Sequence, residues 1–321
     1  MRICLLGDLE DLASVYIGWL ARKLGYEVIE LAEAQLGVDW HYMVDDAGNG
    51  RLVLADRYVR WDEIAGIFVR LNPDPPLPAG VSLEEVQRNC FVQERREALH
   101  QLLEHVPCPV VNRPSAGRSN AAKPYQMAEL GRAGFEVPSW IVSNDADAVR
   151  IFLDTHPQGA IYKASSGLRS RVRKVDGAFM SRLADRTTSA VIQEYIPGKD
   201  VRVHTVAGAA FACEVVGSAV DYRFEHERVR YQASAVPAAL AERCCEHARN
   251  AGLVLAGLDF RVAEDERWYC LEMNPVPSFL PYEFSSGSPI GMAIIEAMVA
   301  SRVANAGTIS PPGSMAIPPA G

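Results

Sequence analysis

Two acidic residues and one asparagine near the end of the sequence could together bind a divalent cation. Asp259 and Glu272 each lie in a segment whose apolar and polar residues alternate as in a β-strand, and Asn274 follows Glu272 by two positions. Side chains two residues apart on a strand share one face. Two carboxylates and an amide oxygen are hard ligands of the kind that Mg²⁺ takes, usually together with phosphate groups. The pattern therefore predicts a magnesium site, and the alternative is a solvated strand face that merely carries acidic residues.

These three side chains can meet only if the two segments form a hairpin. We place Asp265 and Glu266 at its tip, although the turn carries no Asn-Gly or similar signal. In that register the cross-strand pairs are Leu258 with Met273, Asp259 with Glu272, and Phe260 with Leu271. Like charges opposed on neighbouring strands are destabilising unless a positive group lies between them. The hairpin therefore needs a cation, either a metal ion or a basic side chain.

A basic segment follows a predicted strand in the middle of the chain. Residues 160–163 have strand character, and residues 165–174 contain three arginines and one lysine among small residues. A basic loop after a strand can close over an anion such as the phosphates of a nucleotide. The alternative is a solvated run of charges.

Composition limits the classes of protein to which the chain can belong. Its 321 residues are enough for two or three subdomains with a large buried core. The net charge of −8 argues against a general nucleic-acid-binding protein. The seven cysteines form no CxxC pair, which favours buried thiols in a reducing compartment. Because there is neither a signal-peptide pattern nor a membrane-spanning run, we expect a cytoplasmic protein with no membrane or nucleic-acid partner.

Predicted strands and helices alternate in the first third of the chain, which indicates an α/β fold. Residues 2–6 and 26–31 have strand character and flank a helical segment at 11–24, and this βαβ order suggests a Rossmann-like half. Ser82, with Glu85 three residues later, predicts the capped start of a long helix.

Three short segments resemble the ATP-grasp superfamily of ATP-dependent carboxylate ligases. They are Val-Ile-Gln-Glu-Tyr-Ile-Pro-Gly-Lys-Asp-Val-Arg at 191–202, Gly-Leu-Asp-Phe-Arg at 257–261 and Leu-Glu-Met-Asn-Pro at 271–275. Within the superfamily, the ribosomal-protein glutamate ligases and the microviridin-type macrocyclases are the most similar. The resemblance covers roughly residues 110–303, and the first third of the chain is similar in layout only.

The resemblance implies an α/β protein, α+β in the grasp region, with a defined domain order. A Rossmann-like pre-ATP-grasp domain would occupy residues 1–112. The central small ATP-grasp subdomain, with a phosphate flap, would occupy 113–195. The C-terminal ATP-grasp subdomain, with the metal site, would occupy 196–304, and a disordered tail 305–321.

The resemblance also implies how a nucleotide would bind. Adenine would lie against the side chain of Gln193 and the backbone of Glu194 and Ile196. Asp200 would accept hydrogen bonds from the ribose hydroxyls, and the basic loop would cover the triphosphate. The two lysines implied for the phosphates are Lys123 and Lys163. For Lys163 the alternative is a lysine whose stem packs along a strand end.

The chemistry implied is the formation of an acyl phosphate from ATP and a carboxylate, followed by attack of an amine. Asp259, Glu272 and Asn274 would hold Mg²⁺, with Mn²⁺ as a possible substitute, and Arg202 and Arg261 would steady the phosphoryl group and the tetrahedral intermediate. For Arg261 the alternative is an arginine that simply offsets the acidic cluster.

Two departures from the glutamate ligases leave the substrate open. The flap is richer in arginine and poorer in glycine, and the region 221–230 is short, so glutamate does not carry over as a substrate. Asp221-Tyr222-Arg223 resembles an Asp-aromatic-Arg element of the macrocyclases, which makes Arg223 a candidate contact for a substrate carboxylate.

The leading hypothesis is a carboxylate–amine ligase that acts on a peptide or amino acid. A small-molecule kinase and a non-catalytic nucleotide-binding regulatory protein are the alternatives. A homodimer is an expectation from the superfamily.

Overall fold

The computed structural model describes residues 1–72, 74–75, 77, 82–164, 172–183, 189–217 and 229–306. Most of the predicted flap, the segment Asp221-Tyr222-Arg223 and most of the predicted tail lie outside the described residues. The last helix continues to Ala306, two residues into the predicted tail.

The strands are β1 (Arg2–Gly7), β2 (Glu27–Ala32), β3 (Trp40–Val44), β4 (Gly50–Leu54), β5 (Tyr58–Arg60), β6 (Ile64–Arg70), β7 (Val110–Val111), β8 (Trp140–Ser143), β9 (Ala160–Ala164), β10 (Arg173–Lys174), β11 (Ala190–Glu194), β12 (Lys199–Val206), β13 (Ala209–Val216), β14 (Arg230–Ala233), β15 (Leu255–Val262) and β16 (Trp268–Asn274). The helices are α1 (Leu12–Lys23), α2 (Glu85–His105), α3 (Lys123–Arg132), α4 (Ala146–Asp154), α5 (Gly177–Leu183), α6 (Ala238–Asn250), α7 (Leu280–Ser286) and α8 (Ile290–Ala306).

The first third of the chain contains a parallel sheet in the order β2-β1-β6-β7. The predicted strand, helix and strand at its start are β1, α1 and β2. Asp11 caps α1, since its side chain accepts from the backbone N–H groups of Ala13 and Ser14 at 3.0 and 3.2 Å. Strand β6 of this sheet ends with Arg70, whose side chain contacts the backbone of Val276 and Pro277 in the C-terminal part of the chain.

Two features of this region differ from the sequence-based expectation. The antiparallel sheet β3-β4-β5 was not predicted. The prediction of Ser82 as the cap of α2 is wrong, because α2 begins at Glu85 and Glu84 is its N-cap. The backbone N–H of Glu84 donates to the side chain of Gln87 at 3.3 Å, so the capping pair lies two residues later than predicted.

The central sheet, in the order β10-β9-β11-β8, has one face that packs against helices and one that these helices do not cover. Ala160 and Ile192 are buried among side chains of α4 and α5. Lys163 is paired with Val191 across β9 and β11, two residues from Gln193. Lys163 and Gln193 therefore lie on the face that these helices do not cover.

The C-terminal sheet, in the order β14-β13-β12-β15-β16, is divided in the same way. Val203, Leu258 and Met273 belong to a core that includes side chains of α3 and α6. Because strand side chains alternate, Arg202 and Asp259 lie on the opposite face, where they are a cross-strand pair.

The predicted hairpin of β15 and β16 is present, but its register shifts once. Leu258 pairs with Met273 and Asp259 with Glu272, as predicted. The predicted pair of Phe260 with Leu271 is wrong, because Phe260 pairs with Cys270 after a β-bulge. The extra residue lets Cys270, which is fully buried, occupy the core position opposite Phe260.

No helix among the described residues is both long and apolar enough to span a membrane. The seven cysteines are all free thiols, and only Cys90 among them is exposed.

Candidate functional site

The two opposed carboxylates of the hairpin are neutralised by basic side chains from neighbouring elements. Arg202 on β12 places Nη1 2.6 Å from Oδ1 of Asp259, and Lys123 at the start of α3 places Nζ 3.2 Å from Oε2 of Glu272. All four side chains are less than one fifth exposed. The positive groups that like-charge pairing requires are therefore supplied by the protein itself.

Asn274 lies two residues beyond Glu272 and is paired with Gly257 across the hairpin. Its Oδ1 accepts from the backbone N–H of Val276 at 2.9 Å, which fixes the orientation of the amide. An amide oxygen has a second lone pair, so this bond leaves acceptor capacity for a ligand. Within the described part of the chain, no group of three His, Cys, Asp or Glu side chains is placed to hold a metal.

Gly257 provides space at this point of the site. A Cβ atom at Gly257 would lie 2.9 Å from both Nε and Cζ of Arg202 and 2.7 Å from Cβ of Pro277. Such distances are too short for ordinary packing, so a larger residue would displace the guanidinium from Asp259. The glycine of the Gly-Leu-Asp-Phe-Arg segment is therefore required by the close approach of Arg202.

The face of the central sheet that α4 and α5 do not cover holds a buried amide that suits a ligand. Gln193 is 1% exposed, and its Oε1 has no hydrogen-bond partner among the described residues. An unsatisfied buried acceptor costs about 1–3 kcal/mol, so native proteins rarely leave one unused. An amino group such as that of adenine would satisfy it. Lys163 on the same face is also buried, at 7% exposure.

Arg261 joins the segment between the two sheets to β15. Its Nη1 lies 2.6 Å from Oδ2 of Asp200, and its Nε donates to the carbonyl of Ile196 at 2.9 Å. The guanidinium also lies 5.9 Å from the ring centre of Tyr195. Arg261 shares a strand face with Asp259, but its ion pair is with Asp200.

Some backbone groups of the predicted adenine segment already form hydrogen bonds with other protein groups. The N–H of Glu194 donates to the carbonyl of Ser139 at 2.8 Å, and the Glu194 carboxylate accepts from the N–H of Ser139 at 3.2 Å. The Ile196 carbonyl accepts from Arg261, whereas the backbone groups that the resemblance implies for adenine are the Glu194 carbonyl and the Ile196 N–H.

His204 shares a strand face with Arg202 and has a structural role. It is fully buried, and its Nε2 lies 3.0 Å from the carbonyl oxygen of Ser278. Burial, reinforced by the nearby charges of Arg202 and Arg70, lowers the pKa of His204 to about 3. The imidazole is therefore neutral and donates to Ser278.

Sequence reasoning missed the residues that hold the site from behind. Gln126 bonds the backbone of Met273 in both directions, with its Nε2 2.7 Å from the carbonyl and its Oε1 3.1 Å from the N–H. The signal that could have found it is its position one helical turn after Lys123. Arg70 and Asn112, which contact the segment after Asn274, carry no such local signal.

The central sheet and the C-terminal sheet, which includes the β15–β16 hairpin, belong to a known architecture: the chain has the fold of the ATP-grasp ligases. PsnB, an ATP-grasp ligase complexed with a minimal precursor, is 23% identical with a TM-score of 0.76, over 93% of this chain and 98% of that one. The macrocyclase MdnC from Microcystis aeruginosa MRC, bound with the precursor peptide MdnA, is 17% identical with a TM-score of 0.78, over 94% and 100%. A RiPP-associated ATP-grasp ligase from Chryseobacterium gregarium, in complex with ADP and a leader and core peptide, is 16% identical with a TM-score of 0.78, over 94% and 97%.

These likenesses confirm the predicted resemblance to ATP-grasp ligases of the microviridin macrocyclase type at the level of the fold. Another structure of PsnB contains Mg and ADP. No protein-family model matches the sequence, and no curated protein does.

Proposed function

We propose that the protein is an ATP-dependent carboxylate–amine ligase that acts on a peptide through an acyl phosphate. The observation that carries this proposal is the cross-strand pair of Asp259 and Glu272, whose carboxylates form ion pairs with Arg202 and Lys123 respectively. Two carboxylates with two adjoining cations can exchange their internal ion pairs for contacts with a metal and phosphate oxygens. The precursor peptides bound by PsnB and MdnC favour a peptide over a free amino acid as substrate.

Asp259, Glu272 and Asn274 would hold Mg²⁺, or Mn²⁺ in its place, because their oxygens fit a hard cation. The metal would neutralise charge on the β- and γ-phosphates when it is bound. Gln193 fits the site as well, since its buried Oε1 would gain a partner from adenine. The residues proposed for the rest of the nucleotide are Lys123, Lys163, Glu194, Ile196 and Asp200.

In the first step, an oxygen of the substrate carboxylate bonds to the γ-phosphorus and ADP leaves. In the second step, an amine bonds to the acyl carbon, phosphate leaves and the amine loses a proton. Arg202 would stabilise the transferring phosphoryl group, and its ion pair with the proposed metal ligand Asp259 supports this role. Arg261 would act from the same sheet face, where it pairs with Asp200 and donates to the Ile196 carbonyl.

We also propose the domain division given by the sequence, with a Rossmann-like pre-ATP-grasp domain at 1–112 and the grasp subdomains at 113–195 and 196–304. The free and largely buried cysteines favour a cytoplasmic protein.

A homodimer is supported by an exposed apolar surface on α1 and α7. We call the set Leu12, Val15, Tyr16, Trp19 and Phe284 the α1 surface. Leu12, Val15 and Trp19 are 73%, 53% and 52% exposed, and their spacing follows the a/d pattern of packed helices. An aromatic patch of this kind is typical of an interface.

Charge favours a second copy of the chain on the α1 surface. Glu10 lies just before α1, and Arg22 and Lys23 form its last turn. Two α1 helices packed antiparallel across a two-fold axis would bring the acidic end of each against the basic end of the other. The proposed dimer is therefore isologous through α1.

The ligase proposal can be tested by incubating the purified protein with ATP, Mg²⁺ and candidate peptides and analysing the products by mass spectrometry. We expect ADP and phosphate to appear only with a competent peptide, which loses one water per bond formed. Added hydroxylamine should trap the acyl phosphate as a hydroxamate. ADP without free phosphate would indicate a kinase instead. A nucleotide-dependent melting shift with no turnover would indicate a non-catalytic binding protein.

Variants on the same hairpin provide the matched comparison. Asp259→Asn and Glu272→Gln should lower product formation by at least about a hundredfold, because each removes a charged metal ligand. Asp265→Asn at the hairpin tip is the control, since Asp265 pairs with Arg267 at the surface. Retained activity in both site variants would overturn the proposed role of the carboxylates.

A further inference from the structure

The segment that follows Asn274 has every backbone carbonyl held by a side chain from elsewhere in the chain. Asn112 donates to Pro275 at 2.6 Å, Arg70 to Val276 and Pro277 at 3.2 and 2.8 Å, and His204 to Ser278 at 3.0 Å. We call the residues 275–278 the clamped segment, and the set Arg70, Asn112 and His204 the carbonyl clamp. Four consecutive carbonyls bonded in this way, outside any helix or sheet, fix the path of the backbone.

The three donors come from two sheets. Arg70 ends β6 and Asn112 follows β7, which are neighbouring strands of the N-terminal sheet, and His204 lies on β12 of the C-terminal sheet. Asn112 is itself anchored, because its Nδ2 also donates to Leu255 at 2.6 Å and its Oδ1 accepts from the backbone N–H groups of Val254 and Leu255 at 2.9 and 3.1 Å. The clamped segment is therefore fixed relative to β15 by Asn112 and relative to the N-terminal sheet by Arg70.

Arg70 is connected to Asn274 through a single residue. The Val276 carbonyl accepts from Nη1 of Arg70, and the N–H of Val276 donates to Oδ1 of Asn274. The side chain of Arg70 is only 10% exposed, and its flat guanidinium spans two carbonyls with two nitrogens. A movement of Arg70 would therefore move Val276 and turn the Asn274 amide.

We propose that Arg70 is a positioning residue for metal binding, through which the N-terminal sheet holds the amide of Asn274 in the orientation that a cation requires. The inference rests on the proposed function, in which Asn274 is a metal ligand. It gives the N-terminal sheet a direct part in the site. Groups that orient a metal ligand from behind typically change metal affinity by about 10–100-fold when they are removed.

The test compares Arg70→Ala and Arg70→Lys with Arg95→Ala as a matched control. Arg95 is a partly buried arginine of the N-terminal region that also donates to a carbonyl, that of Glu33 at 2.9 Å, but it is not part of the carbonyl clamp. Two quantities are measured in each full-length variant. The first is amide hydrogen exchange of residues 276–280 without ligands, and the second is the Mg²⁺ concentration that gives half of the melting shift produced by ADP.

We expect Arg70→Ala to raise exchange in residues 276–280 and to increase the Mg²⁺ concentration required by about tenfold or more. Arg70→Lys should lie between Arg70→Ala and the wild type, because an ammonium group cannot span both carbonyls. Arg95→Ala should leave both quantities unchanged, even if it lowers the melting temperature. The proposal is overturned if Arg70→Ala and Arg95→Ala behave alike.

The two readouts also separate this inference from the ligase proposal. If the wild type gives no Mg²⁺-dependent shift with ADP, the nucleotide site and the metal role of Arg70 are both wrong. Increased exchange in Arg70→Ala alone would then support a clamp that is structural only. A normal wild-type shift that Arg70→Ala does not alter would overturn the positioning role and leave the ligase proposal standing.

Discussion

At the scale of single residues, the polar side chains of the site are positioned by other protein groups. Arg202 can pack against Asp259 because Gly257 has no side chain to occupy that space. Lys123 contacts Glu272 from the first turn of α3. His204 is the extreme case, because burial keeps it neutral while its ring packs 4.8 Å from that of Tyr282. The protonation of His204 therefore links the free energy of unfolding to pH.

We predict that His204 makes the protein less stable as the pH falls. Its pKa is about 3 in the folded state and near 6.5 when unfolded, since burial and the charges of Arg202 and Arg70 oppose protonation. Below pH 6.5 the unfolded chain binds a proton that the folded protein does not bind until about pH 3. The free energy of unfolding should fall across this interval by on the order of 1 kcal/mol per pH unit from this residue alone.

His204→Gln should remove this contribution, because the glutamine amide is neutral and can donate to the Ser278 carbonyl. Urea unfolding of both proteins between about pH 4 and pH 7 measures the difference in slope. His41→Gln, at an exposed position on β3, should retain the wild-type slope. Parallel curves for the wild type and His204→Gln would contradict the prediction.

At the scale of secondary-structure elements, β16 is an edge strand that carries two proposed metal ligands. An open edge exchanges hydrogen bonds with water and invites pairing with other chains. The side-chain amide of Gln126 bonds the free backbone groups of this edge at Met273, which lies between Glu272 and Asn274. Helix α3 therefore supports the strand at the residue between the two proposed ligands.

We predict that Gln126→Ala lowers the free energy of unfolding by about 2–4 kcal/mol, because it leaves one buried N–H and one buried carbonyl without partners. Gln126→Glu should not rescue the loss, since a carboxylate accepts from the Met273 N–H but repels its carbonyl. Gln93→Ala on α2, where the glutamine contacts Glu97 at the surface, should change stability by less than about 0.5 kcal/mol. Chemical denaturation measures all three, and equal stability of Gln126→Ala and Gln93→Ala would refute the edge role.

The elements predicted from the sequence are those whose residues are neighbours along the chain. The hairpin and the opposition of Asp259 to Glu272 follow from strand alternation once Asp265 and Glu266 are placed at the tip. The bulge does not, because Cys270 and Leu271 are both apolar and either could occupy the core position opposite Phe260. The pattern cannot distinguish the two, whereas packing in the folded core does.

The contacts that could not be predicted join residues far apart in sequence. The ion pair of Arg261 with Asp200 depends on the register between β12 and β15, which no local pattern encodes. Arg70 and Val276 are separated by 206 positions, and neither carries a motif. Residue types and local spacing therefore predicted the candidate ligands, whereas the groups that orient them could be identified only in the folded chain.

At the scale of the whole molecule, the α1 surface is notable because contacts within one chain leave its apolar side chains exposed. The helix buries Ala13, Ile17 and Ala21 against the parallel sheet and α8, while Trp19 stacks on Tyr16 and has the Lys23 ammonium over its ring. With a net charge of −8, two copies repel each other at long range. A dimer through α1 therefore needs local charge complementarity in addition to its apolar contact.

We predict that the wild type is dimeric and that Trp19→Glu is monomeric, because a carboxylate would be buried in the middle of the contact without a partner. Ile151→Glu is the control, since Ile151 on α4 is 67% exposed and lies outside the α1 surface.

Lys23→Glu and Glu10→Lys should each weaken the dimer, because each opposes like charges at both ends of the contact. The double variant Glu10→Lys/Lys23→Glu should restore it, since two-fold symmetry re-forms both ion pairs with reversed sign. Analytical ultracentrifugation at several protein concentrations measures these equilibria. A monomeric wild type would exclude the dimer, and a weak double variant would exclude the antiparallel arrangement.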